Sequence, residues 1–122
     1  TIAGRRCRFD QWEHRFEDSV HLPLEEEKEK YGDNLKRSYT YKALNRLIQG
    51  SAADMTKLAL LGLWEEGIVP HLQVQDEVDI SVENKDQAQK VARIMENCIE
   101  LAVPLVVDIE LGRSWGETEE IT

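Results

Sequence analysis

Apolar residues fall at three- and four-residue steps from about Thr40 to Glu66. Leu44, Leu47, Ile48, Ala52, Met55, Leu58, Ala59 and Leu63 draw one stripe along a helix predicted over residues 40–66. Thr40 is suited to cap its start, Gly67 to close its end and Pro70 to prevent continuation. The period then drops to two. Leu72, Val74, Val78, Ile80 and Val82 alternate with polar residues, which predicts β-structure over residues 71–83. A single strand of that length would be long. It would also turn Asp76 to the face that carries Val74 and Val78, and burying an unpaired carboxylate costs several kcal/mol. A hairpin turning at Gln75-Asp76-Glu77 avoids that cost. The turn has none of the Gly or Asn that tight hairpins favour, so two acids sit where turn chemistry is poor. Such a local conflict points to a functional reason for the acids.

The rest of the pattern is plainer in some places than in others. Ala88, Val91, Ala92, Met95, Cys98, Ile99 and Ala102 share one face of a second helix over 84–102, ended by Pro104. Residues 104–112 predict a strand closed by Gly112, and 113–122 read as a disordered acidic tail. Residues 1–9 predict a hairpin turning at Gly4. Residues 10–38 show no clean period and read as an irregular surface insertion, with one or two helical turns in the charged run Glu25 to Lys30. The expectation for residues 1–122 is one α+β domain: a small antiparallel sheet, made of the hairpin with the acidic turn plus the C-terminal strand, packed against two helices. The second face of that sheet could stay open for a ligand.

Composition narrows this only slightly. A chain of 122 residues, 41% hydrophobic, supports one small domain with a modest core. The formal net charge of −9 argues against a general nucleic-acid coat, yet it is unevenly spread. Residues 1–50 hold ten Lys/Arg and nine Asp/Glu, whereas 51–122 hold five and fifteen. Cys7 and Cys98 show no CxxC spacing and read as reduced thiols. His14, His21 and His71 have no metal-ligand spacing. No apolar run approaches the ~20 residues that span a bilayer, and no signal-peptide stretch follows the first charges. No membrane partner and a cytoplasmic location are therefore expected.

Two constellations carry chemistry. Asp76 and Glu77 stand together in the turn, with Asp79 two residues on. Acids in a loop are commonly just solvated; the alternative is a Mg²⁺ site, since that ion takes one or two protein carboxylates plus waters and substrate phosphates. On the long helix Asn45 and Gln49 lie four apart and share a face, with Lys42 and Arg46 nearby and Arg37 just upstream. Such a face is commonly just a polar helix face in water; the alternative is amides on minor-groove acceptors with cations on phosphates. Gly50 inside the helix costs up to ~1 kcal/mol relative to Ala, which suggests the close approach of another group.

The run Asn45-Arg46-Leu47-Ile48-Gln49-Gly50-Ser51-Ala52-Ala53-Asp54, followed by Gln73-Val74-Gln75-Asp76-Glu77-Val78, resembles the paired C-terminal motifs of family A (DNA polymerase I-like) DNA polymerases. Val103 to Val107 and Gly112-Arg113-Ser114-Trp115 resemble that family's last strand and its ending, and Thr1 to Arg6 its hairpin after the fingers. Thr40 to Asn45 and the insertion before it look most like phage or prophage members. The resemblance covers nearly the whole chain apart from about residues 10–38. It implies the C-terminal part of a polymerase palm, acting in DNA replication as a nucleotidyltransferase. It further implies that Asp76 ligates catalytic Mg²⁺ with Glu77 in support, that Asn45 and Gln49 contact the primer–template, and that Arg5 and Arg6 lie near the duplex backbone. Gln75 stands where the family usually has His near the primer strand, and Tyr41 where phage members often have His.

The resemblance also implies missing parts. The family needs a second palm aspartate and a fingers helix that grips the deoxynucleoside triphosphate, and it places both before Thr1. The expectation is a segment inactive alone, whose partners are primer–template DNA, the N-terminal remainder of the polymerase and, through the fingers, dNTP. Such a segment could be an excised piece, one product of a split enzyme or what a shortened gene leaves. The competing classes are a non-catalytic remnant, a module that binds DNA or a partner, and a small Mg²⁺ nuclease built on Asp76, Glu77 and Asp79. A lone palm piece should expose apolar surface and form homodimers through it.

Overall fold

The computed structural model describes residues 1–16 and 20–121, so residues 17–19 of the expected insertion and Thr122 of the expected tail lie outside the described residues. The chain divides into two compact units, Thr1–Ser51 and Ala52–Thr122. Helices and small antiparallel sheets make it an α+β protein.

The first unit departs from its sequence reading. A turn closes at Gly4, whose N–H donates to the Thr1 carbonyl, but no strand returns from it; residues 5–10 have no regular structure. The expected irregular insertion instead holds β1 (Gln11–His14), β2 (Leu22–Pro23), α1 (Leu24–Tyr31) and β3 (Leu35–Arg37). The strands pair antiparallel in the order β2-β1-β3. What hid this sheet is the way it is held. Across β1 and β3, Trp12 faces Arg37, Glu13 faces Lys36 and His14 faces Leu35. The Glu13 carboxylate pairs with Lys36 at 3.3 Å, and the Arg37 guanidinium lies 4.7 Å from the Trp12 ring. Cross-strand pairs of this kind stabilise a ladder without any alternation of apolar residues. Helix α1 ends at Gly32, whose φ of 69° suits glycine and whose N–H reaches the Lys28 carbonyl at 2.9 Å. A 3₁₀ turn over Thr40–Lys42 leads into the long helix α2 (Ala43–Glu65).

In the second unit α2 ends as its sequence dictates. Gly67 adopts a φ of 73°, its N–H donates to the Trp64 carbonyl at 2.9 Å, and the Ile68 N–H donates to the Leu63 carbonyl at 2.9 Å. This paired closure is the Schellman motif, and it needs a residue that tolerates the left-handed region. The hairpin follows as β4 (Leu72–Val74) and β5 (Glu77–Asp79), then α3 (Lys85–Glu96), β6 (Ile109–Gly112) and β7 (Thr118–Ile121). Asn84 caps α3 by accepting from the Gln87 N–H at 3.0 Å, while the Gln87 side chain accepts from the Glu83 N–H at 2.7 Å. Leu63 and three alanines from α2 and α3 make the buried core of this unit: Ala59 and Leu63 with Ala88 and Ala92.

Three further boundaries move. Helix α3 stops at Glu96 instead of Leu101 or Ala102, because Asn97 turns its side-chain amide back onto the Arg93 carbonyl at 2.7 Å. Strand β6 starts at Ile109 instead of residue 104, where its pairing with β7 starts. The tail expected to be disordered supplies that partner: Thr118–Ile121 pairs antiparallel with β6, Ile109 opposite Ile121. The acidic hairpin and the C-terminal strand sit in separate two-stranded sheets, β4-β5 and β6-β7.

Candidate metal-binding turn and nucleic-acid interface

The sequence-predicted residues fall into two groups, one in each unit. In the second unit Val74 pairs with Glu77, which leaves Gln75 and Asp76 as a two-residue turn. Gln75 carries a φ of 55°, in the left-handed region that L-residues other than Asn and Asp rarely occupy. The Gln73 side-chain amide donates to the Gln75 carbonyl and pins the turn from within. Asp76 is thereby held at the exposed tip, and Glu77 becomes the first residue of β5. Neither carboxylate has a hydrogen bond or ion pair among the described residues. The same hairpin holds an orphan: Oδ2 of Asp79 is buried without a hydrogen-bond partner.

Mg²⁺ is the ion these donors would suit. An unpaired, exposed carboxylate is a hard oxygen ligand, and Mg²⁺ keeps several waters and needs only one or two carboxylates. The fit is that of a first ligand rather than a cage. Among the described residues no group of three or more His, Cys, Asp or Glu is placed to hold a metal ion.

In the first unit Asn45 and Gln49 lie one turn apart on α2, both exposed, with no hydrogen-bond partner among the described residues. Their amides are open to a ligand. The Arg5 guanidinium donates to the Gly50 carbonyl at 3.0 Å, and a Cβ on Gly50 would stand 3.0 Å from the Thr1 methyl. Gly50 is thus explained by the close approach of the chain's first residues. The Arg46 guanidinium lies 4.9 Å from the Phe9 ring and donates to the Cys7 sulfur at 3.1 Å. The Lys42 ammonium stands 4.8 Å from the Tyr39 ring and 5.5 Å from that of Tyr41. Arg6 is exposed.

Sequence reasoning missed Arg8, Phe9 and Trp12 here, and placed Arg37 only as a cation upstream of the helix. The signal was present. Residues 5–9 and 36–46 hold seven Lys/Arg and no Asp or Glu, interleaved with Phe9, Tyr39 and Tyr41, in a chain of net charge −9.

Among the described residues, two titratable groups of the second unit are perturbed, Glu66 and Cys98. The Lys90 ammonium hydrogen-bonds the Glu66 carboxylate at 2.8 Å and holds its pKa below the ordinary glutamate value. Burial pushes the Cys98 thiol up; its sulfur lies 3.5 Å from the Met55 carbonyl. Among the described residues no helix is long and apolar enough to cross a membrane.

Residues 1–117 match the family model for DNA polymerase family A. The chain is 40% identical over 118 residues to a DNA-directed DNA polymerase of Pseudomonas phage M6, covering 97% of this chain and 15% of that protein. It is 32% identical over 139 aligned positions to DNA polymerase theta of Drosophila melanogaster, covering all of this chain and 6% of the relative. Against the thermostable DNA polymerase I of Thermus aquaticus it is 40% identical over 86 residues, covering 64% of this chain and 10% of that enzyme. The chain therefore spans a small fraction of the length of these relatives. No solved structure matches it.

Proposed function

This chain belongs to DNA polymerase family A, and from that premise we propose that it supplies a palm carboxylate and primer–template contacts to template-directed nucleotide addition. The observation that carries the reading is the turn itself. A strained two-residue loop holds Asp76 out of the sheet, exposed and unpartnered, where it can meet a cation and a phosphate.

The reaction is attack of a primer 3′-hydroxyl on a deoxynucleoside triphosphate, with pyrophosphate leaving. Mg²⁺, when bound, supplies charge neutralisation on the phosphates and a more acidic hydroxyl. What this chain contributes is position. Asp76 serves as the metal ligand, and Glu77 adds negative charge beside it. Gln75, where the sequence resemblance has His, donates a hydrogen bond to the primer strand but holds no proton to give up. Asn45 and Gln49 read the acceptors that every base pair shows in the minor groove. Arg5, Arg6, Lys42 and Arg46 meet phosphates. On its own the chain adds no nucleotide in this reading, because one exposed carboxylate pair gives too few fixed ligands for two ions.

Asp76→Ala, placed in a polymerase chain that contains this segment, should lower incorporation by roughly 10²–10³-fold or more, the scale on which one transition-state-stabilising group is lost. Duplex binding should survive. Retained incorporation would remove the metal-ligand role, and equal loss of binding and incorporation would show a folding defect in its place.

A further inference from the structure

We propose that Arg8, Arg37, Lys42 and Arg46, with the rings of Phe9, Trp12 and Tyr39 beside them, form a phosphate-gripping surface, which extends the DNA contacts of the first unit along the sugar–phosphate backbone of a duplex. The proposal rests on the polymerase reading above for the identity of the polyanion as DNA. It adds Arg37 as a contact, positioned by Phe9 and Trp12, and the exposed Arg8 next to Phe9 in sequence.

Phe9 is the hub. Its carbonyl accepts from the Arg37 guanidinium at 2.7 Å, and its ring lies under the Arg46 guanidinium at 4.9 Å. Arg37 is the cross-strand partner of Trp12 and lies over that ring at 4.7 Å. The β1–β3 ladder thus brings Arg37 onto the same residue as a helix cation some nine positions on in sequence. Tyr39 holds a φ of 60°, a costly conformation for an aromatic residue, and its ring faces His21 at 4.4 Å and Lys42 at 4.8 Å.

Charge favours a polyanion locally, at residues 5–9 and 36–46, while the acids of the first unit lie between Asp10 and Asp33. Among the described residues no carboxylate pairs with Arg6, Arg8, Arg37, Lys42 or Arg46. The nearby Glu13 is already engaged by Lys36 and His21. Arginines laid on aromatic faces give up rotamer freedom before binding, so less is lost when they meet phosphate. The rings also distinguish duplex from single strand. A base-stacking platform needs open ring faces. Here Phe9, Trp12 and Tyr39 are half-buried, each with a cation over one face. Such rings orient guanidinium and ammonium groups instead of receiving bases.

The test is fluorescence anisotropy of this chain with a short labelled duplex, repeated over a KCl series. Each phosphate contact adds about 0.9 to the slope of log affinity against log salt. Arg37→Gln should lower that slope by about one and weaken binding several-fold. Arg37→Lys should keep the slope while losing affinity, because the charge stays and the planar stack goes. Trp12→Leu should weaken binding at unchanged slope. An unchanged slope in Arg37→Gln overturns the proposal, as does tighter binding of a single strand of equal length than of the duplex. Should Arg37→Gln unfold by circular dichroism, the Arg37→Lys and Trp12→Leu results decide alone. The readout here is the salt slope of duplex binding, whereas the metal-ligand reading is tested by nucleotide incorporation, so failure of one and failure of the other are separately visible.

Discussion

At the scale of single residues, the turn at Gln75 shows how a cost in conformation marks a site. A non-glycine residue held at a φ of 55° pays ~1 kcal/mol or more, and the neighbouring Gln73 amide keeps it there. Gln75→Gly should therefore raise stability by up to ~1 kcal/mol in thermal denaturation, the relief of strain exceeding the added freedom of the unfolded chain. If primer extension by a polymerase carrying the change falls as stability rises, the strain is retained for the placement of Asp76. A stability that does not rise would mean the turn holds no strain. The sequence made this position legible by contradiction: two acids without Gly or Asn in a tight turn. It could not say which residue would bear the positive φ, because that depends on the register of Val74 against Glu77.

Among elements, what could be read in advance was whatever rests on local apolar periodicity. Helix α2 and its glycine closure, the core of α3 and the two-strand hairpin all follow from patterns within a few residues. The β1–β3 sheet does not, because its partners lie far apart in sequence and are matched by charge and by a cation on a ring. Strand β7 was hidden for a related reason. Backbone ladder bonds are blind to composition, and an acidic run reads as solvated until its partner is known. Its pairing sets Glu110 opposite Glu120, a like-charge pair, relieved in part by the Thr118 hydroxyl donating to Glu110 at 2.7 Å. Between α2 and α3 the link is electrostatic as well as apolar. Gly62 packs so near Ile94 that a Cβ there would stand 3.1 Å from its methyl, and Lys90 reaches Glu66. A glutamate whose folded pKa is depressed stabilises the fold above its unfolded pKa, and that contribution is lost as pH falls through the folded value. The pair is exposed, so its contribution is small. Carboxyl NMR should show Glu66 titrating at lower pH than an ordinary glutamate, and Lys90→Met should return it to the ordinary range. A midpoint unmoved by Lys90→Met would mean that the pair does not form in solution.

For the molecule as a whole, the decisive quantity is how much apolar surface each unit leaves uncovered. Among the described residues of the first unit Leu35 is the one buried apolar side chain, while Leu44, Leu47 and Ile48 on α2 stay 67%, 47% and 60% exposed. In the second unit Leu61 and Trp64 are exposed on the same helix that buries Ala59 and Leu63. Isolated exposed leucines are ordinary, but contiguous ones on a helix face call for a covering surface. We propose that further polymerase chain covers them in a complete enzyme, and that these 122 residues alone associate with themselves. Sedimentation velocity over a concentration series should show a weight-average mass rising above the 14.1 kDa of one chain. Leu44 and Ile48 stand one turn apart on α2, so Leu44→Glu with Ile48→Glu changes one patch and should return the chain towards monomer. Because both positions are exposed, circular dichroism should change little, which separates loss of association from loss of fold. A single-mass monomer across the whole series would mean that these faces are content in water, and the expectation of self-association would fall with it.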